Sequence, residues 1–84
     1  MTNMPYHRFI WTGPVVVHLA GNDISQDDFE WVVQHPTSKG ISRTTGLPVV
    51  WGNTLDDRYI IAVYAVIDEV TVLPVTAYEV ARPR

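Results

Sequence analysis

Ile24-Ser25-Gln26-Asp27-Asp28-Phe29-Glu30-Trp31-Val32-Val33-Gln34-His35-Pro36 is the stretch that decides the reading of the fold. Ser25 is suited to cap a helix, and Asp28, three residues on, completes a variant of the capping box. Ile24 before the cap and Phe29 at the fourth helical position form a hydrophobic staple. Phe29, Val32 and Val33 fall on one helical face. Asp27, Asp28 and Glu30 lie in the first turns, where the helix dipole favours negative charge. Pro36 disfavours helical geometry at the residue before it, so the helix spans Gln26 to His35.

Working back, Thr12-Gly13-Pro14 reads as a helix start, because proline is tolerated in a first turn whose N–H groups lack partners. Val15-Val16-Val17-His18-Leu19-Ala20 is ambiguous. Three consecutive valines favour a strand, whereas Val15 pairs with Leu19 at helical spacing and Gly21-Asn22 supplies a stop. We read it as a helix. Arg8 to Trp11 is either a short leading strand or an ordered arm.

Working forward, Pro36 to Pro48 is rich in Pro, Gly, Ser and Thr and reads as a loop. Val49 to Asn53 is a strand, and Leu55-Asp56-Asp57 turns the chain. Arg58 to Ile67 is apolar at both parities, as in a central strand covered on both sides. Asp68-Glu69 lacks the glycine of a two-residue hairpin, which points to a wider loop. Thr71 to Val80 is the last strand, and Pro74 within it requires a bulge or an edge. The expectation is an α+β fold, with two N-terminal helices on one face of an antiparallel three- to four-stranded sheet. The opposite face, carrying Thr76 and Tyr78, is then open.

With 84 residues the chain makes one domain, residues 1–84. A chain of this size buries only roughly 60% of its unfolded surface. It has no cysteine, so neither disulfides nor thiolate–metal sites supplement the core. Three Trp, four Tyr and two Phe supply large apolar area instead. Met1 to Arg8 lacks the apolar run of a signal peptide. Tyr59 to Ile67 is far too short for a membrane span. These features fit a cytoplasmic protein with no membrane partner. The net charge of −3 tells against a strongly basic nucleic-acid binder. Even so, Lys39, Arg43, Arg58, Arg82 and Arg84 all follow the two helices, so a local basic face is one reading and ordinary solvated surface the other.

His7, His18 and His35 lack the spacing of a metal site, and no phosphate-cradling loop is present, so neither metal nor cofactor is expected. The set that suits chemistry is His18, Arg43, Tyr78 and Arg82. Metal-independent RNA cleavage needs a base, an acid and cations at the phosphate. Histidine titrates near neutrality, arginine grips phosphate through its fork, and tyrosine donates a proton or stacks on a base. Each also has a plain role: His18 on a helix surface, Tyr78 on a sheet, Arg43 in a loop, Arg82 and Arg84 in a tail. Trp31 lies off the Phe29–Val33 stripe and, like Trp51, suits either a core boundary or a partner interface.

The order of Val15-Val16-Val17-His18-Leu19-Ala20, Asn22-Asp23-Ile24-Ser25, Ser42-Arg43-Thr44-Thr45-Gly46, Trp51-Gly52, Tyr59-Ile60-Ile61-Ala62-Val63-Tyr64 and Pro74-Val75-Thr76-Ala77-Tyr78-Glu79 resembles the BrnT-like toxins of the RelE-like superfamily. The likeness runs from Val15 to Glu79, and the closing run is its most specific part. It implies a RelE-like fold, a ribonuclease toxin cleaving RNA without metal, and a neutralising antitoxin protein as partner. The family's Lys-His-Gly-Val between the helices is here Gly21-Asn22-Asp23-Ile24, and its closing Ser-Ala-Arg is Thr76-Ala77-Tyr78. On this reading Arg43 and Tyr78 are catalytic by resemblance and His18 by its chemistry alone, and Arg82 and Thr76 contact substrate. The alternatives are a catalytically inactive binding module that uses the open sheet face, and a homodimeric regulator.

Overall fold

A computed structural model describes residues 6–82; residues 1–5 and 83–84, Arg84 among them, lie outside the description. The elements are β1 (Arg8–Phe9), α1 (Gly13–Gly21), α2 (Gln26–Gln34), β2 (Ser38–Ile41), β3 (Pro48–Asn53), β4 (Tyr59–Val66) and β5 (Thr71–Glu79). The sheet has five strands in the order β1-β5-β4-β3-β2. The chain is therefore α+β, as expected. Strands β2 to β5 are antiparallel neighbours, and β1 adds a parallel edge to β5, which makes the sheet mixed.

Both helices form where the sequence placed them. Thr12 is the N-cap of α1, with extended backbone angles and no side-chain hydrogen bond, and Pro14 sits in the first turn. The valine run is helical because Leu19, which shares the stripe with Val15, is buried in the core. Burial of that stripe outweighs the small helix penalty of β-branching. At α2 the Ser25 hydroxyl accepts from the Asp28 N–H at 3.0 Å, and the Asp28 carboxylate accepts from the Ser25 N–H at 3.1 Å. Ile24 and Phe29 are both buried, as the staple requires.

One stretch differs from the sequence reading. Pro36 to Pro48 is not all loop, since β2 pairs there with β3 from Ser38 opposite Trp51 to Ile41 opposite Pro48. Ser38-Lys39-Gly40-Ile41 has neither alternation nor β-branched density, so only pairing to β3 makes it a strand. Pro74 lies where the β4–β5 register shifts between Val63 and Tyr64. The expected bulge is therefore present, and it spares the ladder a missing donor.

Leu19, Ile24, Phe29, Val32 and Val33 pack on Val50, Ile60, Ala62, Tyr64, Val72 and Ala77. By register these sheet residues share one face, so the helices cover one side only. Gly52 is needed on that side, where a Cβ would stand 3.2 Å from Val32 and 3.4 Å from the His35 carbonyl. Phe9 and Trp11 close the core edge-on against Phe29, at ring separations of 6.4 and 5.4 Å. Ser25→Ala removes half of the capping box. It should cost about 1 kcal/mol and lower the melting temperature by roughly 4–8 °C, readable by thermal circular dichroism.

Candidate functional site

The residues singled out from the sequence divide into three places. His18 and Thr76 meet, with Nε2 and Oγ1 2.8 Å apart. The register explains how. Val80 N–H donates to the Tyr59 carbonyl, so the pairs Tyr59/Val80, Ile61/Tyr78 and Val63/Thr76 are of the hydrogen-bonded class and Ala62/Ala77 is not. The Ala77 carbonyl therefore points away from β4, and the Asn22 amide donates to it at 2.9 Å. β1 pairs only with Thr71 and Val72. Beyond it, α1 takes the place of a strand along β5, which brings His18 within reach of Thr76. Tyr78 lies two residues along the same face, roughly 7 Å further on, and is 46% exposed.

The arginines are elsewhere. Arg43 sits in the β2–β3 turn, and β2 is three strand positions from β5, or roughly 14 Å at the usual strand spacing. Arg82 donates to the Asp57 carbonyl and forms an ion pair with the Asp57 carboxylate at 3.0 Å. Among the described residues no contact places a guanidinium with the His18–Thr76 pair. The set of four read from the sequence is thus not assembled into one site.

Arg58 belongs to neither a basic face nor plain solvated surface; it is a structural hub. It donates to the Asp23 carbonyl at 2.6 Å, to Asp28 Oδ2 at 3.0 Å and to Asp56 Oδ2 at 3.0 Å. It thereby joins the α1–α2 turn, the α2 cap and the β3–β4 turn. Burial pulls its pKa down, and Asp56, Asp28 and Asp23 more than offset that, so the guanidinium is held above its ordinary value. Asp23 and Asp57 both adopt positive φ, 62° and 65°, in the turns on either side of it. The sequence signal was the coincidence of a capping carboxylate at Asp28 with Asp56-Asp57-Arg58, which only the fold brings together.

The helix-free face of the sheet is uncharged, with Val49, Tyr59 and Val63 buried in it and Trp51, Ile61 and Tyr78 partly or largely exposed. By alternation it carries Val49, Trp51, Tyr59, Ile61, Val63, Leu73, Thr76 and Tyr78, with Ser38 and Gly40 at its β2 edge. None of these is charged. Trp51 is half-buried and lies over Gly40, where a Cβ would meet its ring at 3.1 Å. A hollow of about 270 Å³ opens between Ser38, Trp51, Tyr59 and Ala81. Trp31 does not belong to this face, since it packs on the core from α2 and stacks on His35 at 3.9 Å.

Among the described residues no group of three His, Cys, Asp or Glu is arranged to hold a metal ion, and no helix is long and apolar enough to cross a membrane. No known protein family, curated protein or solved structure matches the chain.

Asp56 titrates below its ordinary value because the Thr54 hydroxyl donates to it, with Arg58 adding to the effect. Its folded pKa is thus below the unfolded value of about 3.9. The contribution to stability is present above that value and is lost as pH falls through the folded one. Urea midpoints should hold steady in this respect down to about pH 5 and fall below about pH 4, and Asp56→Asn should flatten that acid limb. Arg58→Met should cost about 1–3 kcal/mol, seen as a lower urea midpoint at pH 7.

Proposed function

We propose that this chain is a RelE-like protein of the BrnT-like kind that works by holding a protein partner on the helix-free face of its sheet. The observation that carries the reading is the composition of that face: half-buried Trp51 and Ile61 and exposed Tyr78 surround buried Val49 and Val63 without a charged residue. Phosphate recognition needs cations, and Arg58 and Arg82 are already taken up by carboxylates. A protein partner needs apolar area with aromatic anchors, which Trp51 and Tyr78 supply. Two helices ahead of four antiparallel strands support the RelE-like assignment. An antitoxin-like protein is the partner that assignment implies.

A metal-independent ribonuclease is the second reading, favoured by the His18–Thr76 contact beside Tyr78. There His18 moves the proton and Tyr78 serves as acid or stacks on a base, while Arg43 and Arg82 must leave their present places to reach phosphate.

Co-expression with the product of the adjacent gene tests the first reading. A complex should form, and Ile61→Asp should weaken it at least about tenfold while leaving the fold intact by circular dichroism. A complex indifferent to Ile61→Asp would place the partner elsewhere. Labelled RNA in EDTA tests the second, and the binding reading predicts no cleavage. Cleavage by the wild type, lost in His18→Ala and Tyr78→Ala, would establish the ribonuclease instead.

A further inference from the structure

The free edge of the sheet at β2 carries a second, independent signal. β2 is the end strand, and its only close neighbour among the elements is β3. Ser42 N–H donates to the Leu47 carbonyl, which sets the hydrogen-bonded class of the ladder at Ser42/Leu47 and, by alternation, at Gly40/Val49. Lys39 and Ile41 therefore turn their N–H and C=O groups outward. Their side chains share the face opposite Gly40, and Ile41 is 66% exposed. Among the described residues α2 packs chiefly on β3 and β4, and α1 on β5.

The charge at this edge is the reverse of the chain as a whole. The chain carries −3, yet Lys39 stands on the edge strand and Arg43 in the turn that follows it. Among the described residues neither has a carboxylate partner, whereas Arg58 and Arg82 do. Edge strands protected from pairing carry such a lysine, and a basic strand is repelled here. In a second copy paired two-fold about Gly40, Lys39 stands opposite Ile41 and diagonal to its own image, an arrangement that like charges disfavour. An acidic strand is attracted, since opposite charges across a strand pair are favourable.

We infer that the β2 edge takes an extended acidic segment of a partner protein as a sixth strand, with backbone bonds to Lys39 and Ile41 and carboxylates beside Lys39 and Arg43. This rests on the reading that the chain holds a protein partner, and it names the partner's chemistry. Alternation puts the carboxylates of the added strand on the Lys39 side and its other side chains beside Gly40 and Trp51. There they extend the apolar face. The net negative charge of the chain opposes this only weakly, because charges beyond about 8 Å are screened at physiological salt.

The probe is a short peptide alternating valine and glutamate, with the valine–lysine peptide as control, titrated into the uniformly labelled protein by NMR. The acidic peptide should bind at least about tenfold tighter than the basic one and slow amide exchange at Lys39 and Ile41. Ile41→Pro removes an outward N–H without breaking the β2–β3 ladder and should abolish binding. The double variant Lys39→Glu, Arg43→Glu keeps the backbone and should reverse the charge preference. Ile61→Asp should leave the peptide bound, so failure of the sheet-face reading and failure of the edge reading are distinguishable. No binding of the acidic peptide, binding indifferent to both edge variants, or perturbations confined to β5 would overturn the inference.

Discussion

The packing of Phe29 and Val32 from α2 and Leu19 from α1 onto one face of the sheet is the constraint on which the rest depends. All three are fully or almost fully buried, as are Ile60, Val72 and Ala77 beneath them. A cysteine-free chain of 84 residues has no other staple, and a core this small stands close to the limit of stability. The helices are therefore spent on one face. On the other face of β3, β4 and β5, Val49, Tyr59 and Val63 are buried, while Trp51, Ile61, Leu73 and Tyr78 keep surface for solvent or a partner.

That division also explains why the polar contacts lie where they do. Arg58 ties the two turns at one end of the helical layer, pairing with its near neighbour Asp56 and with Asp23 and Asp28 at the distant start of α2. Asn22 and His18 tie α1 to the outer side of β5, where β1 is too short to reach. Both sets hold the helices in register with the sheet.

Much of the fold was legible because it rests on local patterns. Ser25 with Asp28 marks a helix start by short-range hydrogen bonds, and Pro74 declares a bulge because it has no N–H to donate. The β2 strand was not legible. Ser38 to Ile41 is a strand only because β3 pairs with it, and pairing is a tertiary event that local propensity does not record. The candidate site was legible in its parts and not in its assembly. His18 and Thr76 do meet, but through the substitution of α1 for a missing strand beside β5, which no spacing in the sequence encodes. Arg43 was chosen for its type and its loop, and the strand order then put it at the far edge of the sheet.

The three tryptophans report on the central claim from three different places. Trp11 donates to Glu30 at 2.8 Å at the helical side, Trp31 stacks on His35, and Trp51 lies on the helix-free face. The most direct measurement is therefore the indole N–H spectrum of the protein during titration with the adjacent-gene partner. The account predicts that the Trp51 signal moves while Trp11 and Trp31 stay in place. Movement of Trp11 or Trp31 with Trp51 unchanged would put the partner on the helices and contradict it.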